Sequence, residues 1–131
     1  MEIGTKLPYF ELKGCDLKTH SLVDVSDKSC VLILFICNHC PYVVAYLDRI
    51  NKLYRRYYED NLGVLLINSN DPAKYPVDSF EGMQALAKQY GWESIYLHDE
   101  TQEVARMFDA KRTPEAFLFN SSRELVYHGA I

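Results

Sequence analysis

Two cysteines, Cys37 and Cys40, are the residues of this sequence best suited to chemistry. They frame Asn38 and His39 and are followed at once by Pro41. A Cys-x-x-Cys pair has two principal uses, thiol–disulfide exchange and metal binding. Its position in the chain separates them. Ahead of it, Cys30 to Ile36 is a continuous apolar run rich in β-branched residues, which predicts a strand buried on both faces. Behind it, Pro41 suits the first turn of a helix, and Val43, Leu47, Ile50, Tyr54 and Tyr57 recur at helical spacing. A thiol placed where a strand ends and a helix begins meets free backbone N–H groups and the positive end of the helix dipole. Both favour the thiolate, the form that attacks disulfides. Cys37, nearer the helix start, is the expected nucleophile. Cys40, one turn later, is expected to resolve the mixed disulfide.

Other chemistries fit less well. Cys15 and Cys30 are too far apart to complete a zinc site. A c-type haem needs His directly after the second Cys, where Pro41 stands. No cofactor and no metal is expected. Asn38 and His39 are assigned to the substrate-facing loop. A cationic His39 would favour the thiolate and make the disulfide more oxidising; a solvated one would have little effect. Cys15, in a turn, and Cys30, a small buried residue at a strand start, are read as non-catalytic. His20, His98 and His128 carry no partner pattern.

The rest of the chain supplies the frame. Pro8 to Leu12 alternates and Lys13-Gly14-Cys15-Asp16 signals a turn, with His20 to Val25 returning as a short strand or helical turn. Asn61-Leu62-Gly63 is read as the end of the helix after Pro41, and Val64 to Ile67 as a second buried strand. Asp78 with Glu81 opens another helix, with Met83, Leu86, Ala87 and Tyr90 as its apolar stripe and Gly91 just past its end. Ile95 to Leu97 is a short strand, and Asp99 to Gln102 repeats the capping pattern before Val104, Ala105 and Phe108. Ala116 to Phe119 and Leu125 to His128 form a hairpin around Asn120-Ser121-Ser122-Arg123. Strands alternating with helices predict an α/β fold with a mainly parallel sheet and an antiparallel C-terminal hairpin.

Composition sets outer bounds. The 131 residues fit one domain, and a formal net charge of −4 excludes a basic nucleic-acid or anionic-membrane surface. The longest apolar run has strand length, well short of the ~18 residues of a membrane span. Met1 to Lys6 shows no apolar signal region, so a cytoplasmic location is expected, where thiols are kept reduced.

Several separated segments, in order, resemble the thioredoxin-like branch of the redoxin superfamily (alkyl hydroperoxide reductase/thiol-specific antioxidant). They are Phe35 to Val43 around the dithiol, Asn68-Ser69-Asn70-Asp71-Pro72 with Tyr75-Pro76, Asp99 to Ala105, Thr113-Pro114-Glu115 and Val126 to Gly129. The resemblance runs from about Gly4 to the last residue. It implies a thioredoxin fold over residues 1–131, with Pro114 as a cis-proline facing the dithiol and Thr113 lining the substrate groove. Three departures stand out. Similar members often carry a third Cys where this chain has Arg112, which either stabilises the Cys37 thiolate or faces solvent. Thioredoxin proper has a buried Asp six residues before the nucleophile; here that position is Val31, and Glu115 is the candidate substitute proton acceptor. The fold normally closes with a helix after the last hairpin, whereas this sequence ends at Ile131. The expectation is a C-terminally truncated domain lacking that helix, with Phe117, Phe119, Leu125 and Tyr127 exposed on the uncovered face and weak self-association through it.

The expected activity is thiol–disulfide oxidoreduction on disulfide-containing proteins or small thiols, recharged by a cellular dithiol reductant, with no nucleic-acid or membrane partner. Two alternatives differ in chemistry. A thiol peroxidase resembles Pro-x-x-x-Thr-x-x-Cys, but those positions hold Cys30 and Leu34 for Cys37, and Ile33 and Cys37 for Cys40. A copper-binding metallochaperone resembles Cys-x-x-x-Cys-Pro with a downstream His. The spacing here is one short, although His98 could serve as ligand and Cu(I) suits thiolates.

Overall fold

The apolar runs and turn signals become seven strands of one sheet, described here from a computed structural model covering residues 1–36, 49, 52, 56, 62–69, 80–90, 95–99, 101–110 and 115–129. The strands are β1 (Glu11–Gly14), β2 (Thr19–Ser21), β3 (Cys30–Phe35), β4 (Leu62–Asn68), β5 (Ile95–His98), β6 (Glu115–Phe119) and β7 (Leu125–Gly129). Their spatial order is β2-β1-β5-β4-β3-β6-β7. The described helices are α1 (Phe80–Tyr90) and α2 (Glu103–Phe108), with a 3₁₀ turn at Leu22–Val25. Arg49, Lys52 and Arg56 are also helical and exposed.

The parallel part of the sheet is its middle. β3 pairs with β4, and β4 with β5, in parallel. Everything added outside is antiparallel: β1 on β5, β2 on β1, β6 on β3 and β7 on β6. The sheet is therefore mixed, because the N-terminal hairpin joins it antiparallel as the C-terminal one does. His20 to Val25 turns out to be both forms anticipated, strand β2 and then the 3₁₀ turn. Ser21 caps that turn by accepting from the Val23 N–H at 3.3 Å, while Asp24 accepts from the Ser21 N–H at 2.9 Å.

One boundary moves. Leu62 and Gly63 belong to β4 rather than to a helix end. Gly63 is needed for close approach: a Cβ there would lie 2.9 Å from Cγ1 of Val25 and 3.0 Å from Cγ of Lys28.

Alternation along the strands sorts side chains onto two faces. Val31, Ile33 and Phe35 of β3 join Leu65, Ile67, Leu97, Phe117, Phe119 and Leu125 in one buried core, roofed by Phe10, Val104 and Phe108. Phe108 is its hub, edge-on to Phe10, Phe35, Phe117 and Phe119 at centroid distances of 5.2–6.0 Å. The expectation that Phe117, Phe119 and Leu125 lie exposed is thereby overturned. All three are fully buried, because the antiparallel register sets Phe117 against Ile33 and Phe119 against Val31, on the side covered by α2. Tyr127, opposite Leu118, does face outward and is 46% exposed. The other sheet face carries Leu34, Leu66 and Tyr96, all buried, and α1 contacts β5 and buries Met83.

Candidate active site

The carboxyl ends of the parallel strands converge on one edge of the sheet, where open α/β sheets place their ligands. β3 ends at Phe35, and the Ile36 N–H donates to the Ile67 carbonyl at 2.8 Å, carrying the pairing one residue further. Cys37 follows in the chain. Cys37, Asn38, His39, Cys40, Arg112, Thr113 and Pro114 lie outside the described residues. Glu115 is the sequence-derived site residue that the structure describes.

Glu115 opens β6 directly opposite Phe35. Its residue is only 8% exposed, so a carboxyl group is held at the upper rim of the core. Its Oε1 lies 3.5 Å from Nε2 of His128 on β7. The His128 ring stacks on Phe117 with centroids 4.3 Å apart and planes 12° apart, which fixes its orientation. The sequence reading left His128 without a role. Counting outward from the turn Asn120-Ser121-Ser122-Arg123 brings residues 115 and 128 to neighbouring positions, and that symmetry is the signal that could have found the pair.

A second polar group at the same sheet edge belongs to β4, β5 and α2. Asn68 is fully buried and donates to the Tyr96 hydroxyl at 3.1 Å. Asp99, also buried, accepts from the N–H groups of Val104 at 3.3 Å and Ala105 at 2.9 Å, and from the Ser69 hydroxyl at 2.7 Å. Asp99 thus satisfies free N–H groups of the first turn of α2, but from outside the helix: the N-cap is Gln102, in a left-handed conformation, and not Asp99 as the capping pattern anticipates. The Gln102 side chain donates to the Ser69 carbonyl at 2.8 Å and closes the network. These bonds tie the ends of β4 and β5 to the helix beneath β6.

Of the other two thiols, Cys15 is poorly placed for reaction. Cys15 is half-buried, and burial together with the Asp16 charge pushes its thiol up to about 12, leaving almost no thiolate at neutral pH. Cys30 is half-buried, rather than fully buried, at the start of β3. His98 ends β5. Among the described residues no group of three or more His, Cys, Asp or Glu side chains is arranged to hold a metal ion. No helix among them is long and apolar enough to cross a membrane.

With the fold and this rim in view, the chain belongs to the AhpC/TSA family, which it matches over residues 3–128. Comparison with curated proteins gives no match. Among solved structures, a hypothetical protein of Sinorhizobium meliloti 1021 is 36% identical with a TM-score of 0.95, the match covering 98% of this chain and 70% of that one. An uncharacterised conserved protein of Geobacillus kaustophilus is 38% identical with a TM-score of 0.94, covering 98% of this chain and 68% of that one. A candidate thioredoxin from Neisseria meningitidis is 25% identical with a TM-score of 0.80, covering 99% of this chain and 81% of that one. The fold is thioredoxin-like.

Proposed function

We propose that this protein is a thiol–disulfide oxidoreductase working through the Cys37/Cys40 dithiol. The observation that carries the reading is the buried Glu115 carboxyl, set opposite Phe35 at the end of the central strand. Phe35 precedes Cys37 by two residues, and two residues reach at most about 7 Å. Val31, where thioredoxin proper has its acid, is on the same sheet face but four residues further down β3, about 13 Å away along the strand. Glu115 therefore brings an acid to the sheet end at which the dithiol follows, on the face where the resemblance expects one.

The Cys37 thiolate attacks one sulfur of a substrate disulfide. A mixed disulfide forms and the first substrate thiolate leaves, taking a proton from water. Glu115 accepts the Cys40 proton, and the Cys40 thiolate attacks the Cys37 sulfur. The Cys37–Cys40 disulfide forms and the second substrate thiolate departs. A dithiol reductant of the cell then returns the two electrons. The substrates are disulfide-bearing proteins or small thiols, and the setting is cytoplasmic.

Redox titration of wild type against glutathione, combined with insulin-disulfide reduction by two variants, tests this. Cys37→Ser should abolish turnover, and Cys40→Ser should accumulate mixed disulfides with substrate. Rapid hydroperoxide consumption that survives loss of Cys40 would instead establish a thiol peroxidase. Tight Cu(I) binding without disulfide turnover would establish a metallochaperone.

A further inference from the structure

We infer that His128 is the positioning residue through which Glu115 exchanges its proton with solvent. The inference rests on the dithiol reading above and adds a residue to it. Glu115 is buried beneath the rim, and its own access to water is slight. The side chain of His128, by contrast, is 31% exposed, and its Nε2 lies 3.5 Å from Glu115 Oε1. The parallel stack on Phe117 holds the imidazole edge toward the carboxyl rather than leaving it to rotate. Phe117 itself is locked edge-on against Phe35 and Phe108, so the platform under the ring is fixed by the core. Strand pairing reinforces this, since His128 stands opposite Phe117 and diagonal to Glu115.

The steps balance. The Cys40 thiol gives its proton to the Glu115 carboxylate. The carboxylic acid passes a proton to neutral His128, restoring the carboxylate and leaving an imidazolium. The imidazolium releases the proton to water, where the departing substrate thiolate collects it. No electrons move in the relay. During reduction of the Cys37–Cys40 disulfide by a dithiol reductant the same path runs inward.

The test is a stopped-flow measurement of proton release to solvent during a single turnover of mixed-disulfide resolution, with free imidazole as the external proton carrier. His128→Ala should slow that release at least about tenfold, below the ~10²–10⁴-fold of a directly acting acid–base group because His128 acts through Glu115. Added imidazole should restore the rate in that variant and leave Glu115→Gln unchanged, since without the carboxylate there is nothing for the carrier to relieve. His128→Phe, which keeps the aromatic stack, should be as slow as His128→Ala. A His128→Phe enzyme at wild-type rate, or a His128→Ala defect that imidazole does not rescue, overturns the inference. Either result leaves the dithiol reading intact as long as turnover still requires Cys37. Wild-type turnover that survives Cys37→Ser would overturn the dithiol reading itself.

Discussion

The two ends of the central sheet use polar side chains in opposite ways. At the amino end of β3, Arg123 from the β6–β7 turn donates to the backbone carbonyls of Val25 at 3.0 Å and Lys28 at 2.8 Å. In the same turn Asn120 Oδ1 accepts from the N–H groups of Ser122 and Glu124, each at 3.0 Å. Arginine stays charged at any pH a folded protein meets, and backbone carbonyls do not titrate, so that end is a fixed clasp. At the carboxyl end, Glu115 and His128 meet instead, and both can gain or lose a proton. The difference teaches where this fold carries load and where it holds ionisable groups together. A matched donor and acceptor hold a loop, whereas two titratable groups held close can pass a proton.

The comparison can be broken at the carboxyl end first. Glu115→Gln should keep the fold and lower kcat/KM for disulfide reduction about 100-fold, or about 2.7 kcal/mol of barrier. If it lowered the melting temperature instead and left the rate alone, the two ends would be the same kind of structure. The next effect belongs to the clasp. Arg123→Ala should cost about 2 kcal/mol of stability through lost charged hydrogen bonds and leave turnover unchanged below the transition, as read by urea unfolding and insulin reduction. Loss of activity at full folding would show that the clasp reaches the site.

The smallest effect sharpens the comparison with a third, exposed cluster, where His20 sits between Asp16 at 2.8 Å and Asp24 at 3.0 Å. Partial burial works to raise the Asp16 carboxyl. The hydrogen bonds from the Lys18 N–H and His20, with the charges of both residues, outweigh it and hold the group below its ordinary value. A carboxyl lowered in the folded state stabilises fully above its unfolded value of about 3.9 and loses that contribution as pH falls through the folded value. Asp16→Asn should therefore cost ~0.5 kcal/mol at pH 7, with the gap to wild type closing as the pH drops below about 4. A gap that stays constant down to pH 2 would mean that charge is not the cause.

Local pattern made much of this legible. The Cys30–Ile36 run needs no distant information to read as a buried strand, and the stretch Asp99–Gln102 announces a helix start, although the N-cap itself falls on Gln102. What escaped was set by register between distant segments. Phe117, Phe119 and Leu125 read as residues of an uncovered face, because which side of β6 meets α2 depends on its pairing with β3. A bulge between Leu118 and Phe119 shifts the hairpin, so the direct opposite of His128 is Phe117 and Glu115 is reached on the diagonal. Gly63 read as a helix stop because a glycine required by Val25 looks, in sequence, like one required by a turn. The Cys37/Cys40 and Thr113-Pro114 motifs lie outside the described residues, and of the site residues named from sequence Glu115 is the one whose burial the structure shows.

The pairing of β3 with β6 also governs how the chain can assemble. Val31 and Phe119 are neighbours in the sheet but come from the first and last quarters of the sequence. A ribosome delivers β3 before its antiparallel partner, so one flank of this apolar strand waits unpaired until residues 36–114 have followed. Closing so long a loop is entropically costly and slow, which places this chain among the slower folders for its size. Until β6 arrives, that flank is the segment a chaperone would have to shield.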